Sequence, residues 1–304
     1  MEFWSHLNPR RYRKSGYIAI GALIGVLAGS AVSLFRYMIG FILEQVVTVY
    51  SFLREQPQWI PAWILFSLVM GVILGQIVKS DPDIKGSGIP QVELQLQGKM
   101  DMKWWSVCWK KFVGGAISIG SGLLLGREGP SIQLGASVGQ GVAETLKANR
   151  VQKNVFISSG AGAGLAAAFN APIAGLMFVL EEVHHTFSPL VAVTTLTAAI
   201  VANFISLNIF GTHASLNLGN DQRFPINYYG YVVLLGIILA IFGLAYHRLT
   251  LALPTIYKKL FPKVAPYNYC IIAFMLIIPL GMWNPHVLGG GGELVLALVK
   301  ENHT

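Results

Sequence analysis

Apolar residues along the chain fall into long runs separated by short polar segments rich in turn residues. Residues 16–51 form the first run, which as a helix rising 1.5 Å per residue is long enough to cross ~30 Å of hydrocarbon at a tilt. Further apolar runs cover residues 61–78, 188–210, 228–253 and 267–282. The pattern predicts that each of these runs is a helix of membrane-crossing length.

Residues 86–186 depart from this pattern, because their apolar segments are short and are interrupted by glycine, proline and single charges. Several of the helices predicted here are too short to cross the hydrocarbon layer. Interrupted helices at membrane depth persist only where protein buries them or where they line a wet cavity. We therefore expect the functional region between residues 86 and 186.

The composition supports a membrane protein. Of the 304 residues, 54% are hydrophobic and only 12% are charged, whereas a soluble domain carries about 25% charged residues. The mean hydropathy is +0.57. We predict an all-α polytopic membrane protein and no nucleic-acid partner, since the net charge of +8 is typical of basic cytoplasmic loops. The two cysteines, Cys108 and Cys270, define no disulfide framework or zinc site, and we expect both to be inert core residues.

Basic residues set the expected orientation. Arg10, Arg11, Arg13 and Lys14 precede the first apolar run, which predicts a cytoplasmic N-terminal segment over residues 1–15 in a multi-pass protein of the cell membrane. The lysine-containing loops at 79–85 and 257–263 then fall on the same side. The polar segment 211–227 is predicted to be an outer loop.

The segment GSGIP at residues 86–90 is typical of a helix start. Proline in the first turn costs nothing, because its missing N–H would have no partner within the helix. The glycines leave backbone N–H groups uncovered, and Ser87 adds a hydroxyl donor. A helix N-terminus carries about +0.5 elementary charge and favours an anion. An ordinary capped helix has the same pattern, so GSGIP alone leaves both interpretations open.

The segment GREGP at residues 126–130 repeats this arrangement, with Pro130 in the first turn and an acid at the helix start. A carboxylate is stabilised at that position, so Glu128 can itself occupy an anion site. When protonated, it loses its charge and can swing away to admit a real anion. The structural alternative is a capping glutamate paired locally with Arg127. An ionisable residue at membrane depth favours the functional interpretation.

A third segment, GAGAGLAAAFNAPIAGLMFVLEE at residues 160–182, begins with small residues that permit tight helix crossing. Asn170 and Pro172 are expected to end one helix and start another. The acids Glu181 and Glu182 then close the apolar stretch. They mark either a helix end that meets water or a buried proton acceptor.

The overlapping Glu-x-x-His pairs in EEVHH, Glu181 with His184 and Glu182 with His185, raise a metal site as an alternative. Di-iron bundle proteins use this spacing on two separate helices, together with further glutamates. This chain has no second copy of the pattern. We therefore expect no metal, no cofactor and no enzyme, and a membrane metalloenzyme is the alternative that we disfavour.

The three segments, in this order and at these separations, resemble the CLC family of chloride channels and proton/chloride antiporters, and the similarity runs through residues 16–304. The resemblance implies an inverted-repeat fold of tilted and broken helices, in a homodimer whose subunits each hold a pathway. Residues 16–210 correspond to the first half and residues 228–304 to the start of the second.

The resemblance also implies roles for particular residues. Ser87 matches a residue that helps to coordinate a central chloride, and serine there fits a preference for chloride over nitrate. Glu128 matches the gating glutamate that carries protons on the outer side. Glu182 matches the inner proton glutamate, and Glu93 matches a buried acid near it. The implied chloride-binding residues are Gly86, Ser87, Gly88, Ile89, Arg127 and Gly129.

One departure from the family pattern affects these expectations. The family's third anion-binding helix start, of the form Gly-x-Phe-x-Pro, and a later chloride-coordinating tyrosine are not in this sequence. We expect the second half to be incomplete. Proton-coupled chloride exchange is the leading hypothesis, with chloride and protons as substrates. A passive voltage-gated chloride channel and an inactive truncated remnant are the alternatives.

Overall fold

The computed structural model describes residues 14–184, 187–212, 225–292 and 294–295 of the chain. Within these residues the regular structure is helical throughout. The described residues leave out most of the predicted segment 1–15, most of the loop 211–227 and residues 296–304. The domain boundaries predicted there remain predictions. The helices are α1 (Lys14–Glu55), α2 (Ile60–Ser80), α3 (Ile89–Leu96), α4 (Trp104–Gly120), α5 (Glu128–Thr145), α6 (Arg150–Phe169), α7 (Pro172–Phe178), α8 (Pro189–Phe210), α9 (Tyr229–Leu260) and α10 (Cys270–Trp283).

The predicted membrane-crossing runs are confirmed as α1, α2, α8, α9 and α10, each of which belongs to a segment long and apolar enough to span a bilayer. Several helices extend a few residues beyond the approximate ends of the predicted runs, most of all at the end of the fourth run. The sequence predicted that the fourth run ends at residue 253, but α9 continues through Pro254 to Leu260. A proline removes one helical hydrogen bond, which a membrane helix tolerates when its neighbours compensate. The positive charges of Lys258 and Lys259 lie in the last turn of α9, where they interact favourably with the negative end of the helix dipole.

The interrupted region is confirmed between α3 and α7. Helix α3 has 8 residues and α7 has 7 residues, so neither extends beyond ~12 Å at 1.5 Å per residue. Helix α6 ends where the sequence predicted, with Asn170 in the left-handed conformation at its C-cap. Pro172 then opens α7. A π-helical turn, Val179–His184, follows directly and is called the π-turn below.

The core is built around α1, α5, α6 and α8. Helix α1 buries Ile24, Ala28, Val32 and Phe35 completely, a spacing of three and four residues that puts them on one face. The same helix presents three glycines to α8. A Cβ built on Gly25, for example, would lie 2.5 Å from the carbonyl oxygen of Ala198. Small residues at this spacing let the backbones of two membrane helices approach closely.

Helices α5 and α6 cross at their glycines, as the run of small residues predicted. A Cβ built on Gly135 would strike the backbone of Gly160, and a Cβ built on Gly160 would strike that of Gly135. A second pair, Gly139 and Phe156, repeats the contact one turn along α5. The close crossing fixes α5, whose first residue is Glu128, against α6, most of whose residues are buried. Helix α9, by contrast, has no buried residue.

Replacing Gly160 with leucine should therefore disrupt the packing of the core. The new side chain meets backbone rather than a flexible side chain, so the cost should reach or exceed the ~1–3 kcal/mol of ordinary overpacking. Gly236→Leu on α9 is the matched control, because nothing lies within 4 Å of a Cβ at Gly236. Thermal unfolding in detergent should show a lower midpoint for Gly160→Leu only; equal midpoints for both variants would contradict the crossing.

Candidate anion site

The starts of α3 and α5 touch each other. A Cβ built on Gly129, the second residue of α5, would lie 2.5 Å from the carbonyl oxygen and 2.8 Å from the Cβ of Ser87. Ser87 lies two residues before α3 begins at Ile89. Only glycine at position 129 permits this approach. The structure thus brings together GSGIP and GREGP, which are about 40 positions apart in the sequence.

The turn before α3 requires glycine for a second reason. Gly86 and Gly88 have φ angles of 74° and 100°, in the left-handed region that side chains disfavour. Gly88 also contacts Gln133 on α5, whose Oε1 would lie 2.5 Å from an added Cβ. The turn is therefore shaped both by its own backbone and by the neighbouring helix.

The first turns of both helices keep their backbone donors available. The N-cap residues of α3 and α5, Gly88 and Arg127, make no side-chain cap hydrogen bond, and in α3 the described side chains reach only the first N–H. The Ser87 hydroxyl accepts a long hydrogen bond of 3.3 Å from the Ile89 N–H. The Ser131 hydroxyl bonds backwards to the Arg127 carbonyl oxygen at 2.8 Å. Uncapped N-terminal N–H groups are suited to an anion.

A cavity of about 670 Å³ opens at this junction. Gly86, Ser87 and Ile89 line it from α3 and the preceding turn, and Glu128 and Gly129 line it from α5. Tyr246 and Thr250 of α9 close part of another wall, and three lysines also face the cavity. They are Lys85, Lys110 and Lys111.

Lys111 is the residue that sequence reasoning missed. Its side chain is only 4% exposed, and its Nζ donates to the carbonyl oxygens of Ile84 and Gly86 at 2.9 and 2.7 Å. It therefore fixes the turn that leads into α3. No carboxylate of the described residues lies within ion-pair distance of Lys111. A buried cation that lacks an acidic partner favours an anion nearby. Its position in the apolar segment WKKFVGG was the available signal.

The side chain of Glu128 is exposed to the cavity. Within the described part of the chain, no ion pair joins it to Arg127, so the local pairing considered as the structural alternative is not seen. Arg127 is half-buried and forms the N-cap of α5. Glu128 thus lies at the start of α5, beside the turn that leads into α3, and faces the cavity.

The two inner acids, Glu93 and Glu182, are not among the residues that line this cavity. Glu93 is half-buried on α3, and α3 contacts the π-turn that carries Glu182. Of the two alternatives left open for Glu181 and Glu182, a helix end that meets water or a buried proton acceptor, the described residues agree with the first, because both acids are exposed. Val179 and Val183 take the inward positions of the turn instead.

The cysteines are less buried than the sequence predicted, and the structure describes only part of the Glu-x-x-His segment. Cys108 and Cys270 are half-buried rather than core residues, and the Cys270 thiol donates to the Gly71 carbonyl oxygen at 3.2 Å. Within the described residues, no three histidine, cysteine or acidic side chains are grouped to hold a metal ion. His185 lies outside the described residues.

The profile of the voltage-gated chloride channel family, the CLC family, matches residues 66–304. The chain belongs to this family. Together with its apolar helices, this makes it a multi-pass membrane protein. A curated CLC relative, the H(+)/Cl(-) exchange transporter ClcA of Vibrio cholerae serotype O1, is 30% identical over 91% of this chain and 60% of its own length. ClcA of Klebsiella pneumoniae is 29% identical, also over 91% and 60%. The chain thus spans about 60% of the curated relatives that it matches.

Solved CLC structures share the fold. A slow cyanobacterial Cl-/H+ antiporter superposes with a TM-score of 0.80 at 29% identity, covering 94% of this chain and 67% of the antiporter chain. A CLC-type fluoride/proton antiporter superposes with a TM-score of 0.74 at 24% identity, covering 93% of this chain and 69% of the other. The expected CLC fold of tilted and broken helices is therefore confirmed.

The contact at Gly129 gives a direct test of the site. Gly129→Ala should force the starts of α3 and α5 apart and weaken the binding of a probe anion, chloride, at the candidate site by about tenfold, which corresponds to ~1.4 kcal/mol. Gly126→Ala is the control from the same motif, because a Cβ at Gly126 meets nothing within 4 Å. Isothermal titration of the purified protein with chloride measures both variants. Equal affinities would mean that the approach of the two helices does not form the site.

Proposed function

We propose that the protein exchanges chloride for protons across a cell membrane. The observation that carries this proposal is the position of Glu128, which lines one cavity together with Ser87 at the junction of two helix starts. A carboxylate and a halide have the same charge sign and the same attraction to backbone N–H groups. One location therefore serves both.

The charges at the junction favour a single occupant. Each helix N-terminus contributes about +0.5 elementary charge, so α3 and α5 together offset roughly one anion. A second negative charge at ~4 Å from the first would be repelled by about 4 kcal/mol at an effective dielectric constant of 20. That repulsion lowers the affinity for the second anion by about a thousandfold. Charged Glu128 and chloride thus compete.

Competition couples the two substrates. Charged Glu128 occupies the positive junction and excludes chloride. Protonation removes its charge, so it leaves the N–H groups to chloride and holds a proton that can pass to the outer solution. The anion would be held by the hydroxyl of Ser87 and by backbone groups of Gly86, Gly88, Ile89 and Gly129. Arg127 and Lys111 would add positive charge nearby.

Protons reach the opposite side through the inner acids in this proposal. Glu182 on the exposed face of the π-turn takes protons from the cytoplasm, and Glu93 on the adjoining α3 lies near that route. The orientation, with a cytoplasmic N-terminus, follows from the basic residues before α1. We propose a homodimer in which each subunit holds its own pathway.

The relatives support exchange over other transport. The curated relatives are named H(+)/Cl(-) exchange transporters, and a solved relative at 29% identity is titled a Cl-/H+ antiporter. The description of the family profile, voltage gated chloride channel, favours a passive channel as the second candidate. Both candidates use the same junction for chloride and differ in whether Glu128 passes protons onward.

Glu128→Gln separates chloride movement from proton movement. The neutral side chain no longer competes as an anion and cannot carry a proton, so chloride flux in proteoliposomes should persist while coupled proton flux is lost. Glu144→Gln is the control. Glu144 lies near the far end of the same helix, with Lys153 at 3.0 Å. Proton coupling that survives in Glu128→Gln would contradict the assignment of Glu128.

The wild-type protein distinguishes the two transport candidates. Under a pH gradient, exchange shifts the reversal potential away from the chloride equilibrium value, because protons move in fixed proportion to chloride. A passive channel stays at the chloride equilibrium value whatever the pH gradient. A reversal potential that ignores pH would replace the exchanger with the channel.

A further inference from the structure

The π-turn, Val179–His184, carries the proposed inner proton acceptor and has an uncommon geometry. π-helical turns are rare in proteins as a whole, but those that occur often lie at functional sites. Val179 is fully buried and Val183 is 6% exposed, so two apolar side chains hold the turn against the core. Such contacts are not directional and do not by themselves fix which way Glu182 points.

One hydrogen bond adds direction to these contacts. The Nε2 atom of His184 lies 2.7 Å from the hydroxyl oxygen of Ser158 on α6. Ser158 is fully buried, and its hydroxyl oxygen also lies 2.7 Å from the carbonyl oxygen of Asn154. The bond joins the last residue of the π-turn to the middle of α6.

Counting hydrogens assigns the donor. Two oxygen atoms 2.7 Å apart need a hydrogen between them, and the Ser158 hydroxyl has only one hydrogen to give. That hydrogen goes to the Asn154 carbonyl oxygen. The Ser158 oxygen must then accept from His184, so Nε2 carries a hydrogen. A neutral Nε2–H ring and a fully protonated ring both donate from this atom.

We infer that His184 is the positioning residue for Glu182, through its hydrogen bond to Ser158; the inference rests on the proposed proton-coupled exchange. The bond fixes the rotation of the π-turn on α6. Glu182, two residues earlier in the same turn, is thereby held on the exposed side of a turn that as a whole contacts α3. Without the bond, the backbone of the turn can return to the hydrogen-bond pattern of an α-helix. That change would rotate the turn and point Glu182 in another direction.

The surroundings of the π-turn are compatible with this role. The turn packs against α3, α6 and α7. Charged residues on these elements are Glu93 on α3 and Arg150 and Lys153 in the first turn of α6, and α7 carries none. Because Nε2 donates in either protonation state of His184, the bond should survive changes of pH.

The test uses variants that differ in one hydrogen bond. Ser158→Ala removes the acceptor and His184→Leu removes the donor, whereas His184→Gln keeps an N–H donor of similar reach. Ser159→Ala is the matched control. Ser159 is also fully buried and also bonds back along α6, to the Val155 carbonyl oxygen at 2.8 Å. The full chain in proteoliposomes reports the ratio of protons to chloride moved.

Ser158→Ala and His184→Leu should lower the proton-to-chloride ratio by about tenfold, less than the ~10²–10⁴-fold that loss of a proton-transfer group costs, because Glu182 is misplaced and not removed. Chloride flux should persist in both variants. His184→Gln and Ser159→Ala should keep the wild-type ratio. An unchanged ratio in Ser158→Ala and His184→Leu overturns the inference while leaving the proposed function intact. A wild-type protein that moves chloride without protons overturns both.

Nuclear magnetic resonance of ¹⁵N-histidine-labelled protein tests the bond without transport. The His184 signal, assigned by its loss in His184→Gln, should show a hydrogen on Nε2 at neutral pH and should shift in Ser158→Ala but not in Ser159→Ala. A hydrogen on Nδ1 alone would contradict the donor assignment and, with it, the inference.

Discussion

The close contact between Ser87 and Gly129 is the constraint on which the site depends. It brings two helix N-termini to one location, where their partial charges sum to about one positive unit. The left-handed glycines before α3, the proline in each first turn and the buried amine of Lys111 all serve to hold this geometry. A larger residue at position 129 would separate the two partial charges and so weaken the site.

This arrangement costs stability that the rest of the fold supplies. Uncapped helix starts and a buried lysine are unfavourable by themselves. They persist because α5 is locked against α6 at Gly135 and Gly160, and because α1 packs on α8 at its glycines. The small residues therefore do more than permit close packing: they make a rigid frame in which a polar junction can remain open to a cavity.

The sequence was enough to predict the membrane-crossing helices, the break at Asn170 and Pro172, and two helix starts with the same pattern. Local chemistry determines these features, since hydropathy, proline and glycine act over a few residues. It did not predict that Lys111 binds the Ile84 and Gly86 carbonyl oxygens, because that contact joins distant segments. The π-turn also depends on tertiary contacts, namely the burial of Val179 and Val183 and the hydrogen bond between His184 and Ser158. The continuation of α9 past Pro254 shows that one local signal can be overridden.

Chloride affinity as a function of pH tests the central claim most directly, namely that one carboxylate and one halide share one positive junction. Titration calorimetry of the wild-type protein should show tighter chloride binding as the pH falls, because protonated Glu128 no longer competes. Glu128→Gln should bind chloride tightly and independently of pH in the same range. If the wild-type affinity does not change with pH, or if Glu128→Gln keeps the wild-type pH dependence, halide and carboxylate do not compete and the account is wrong.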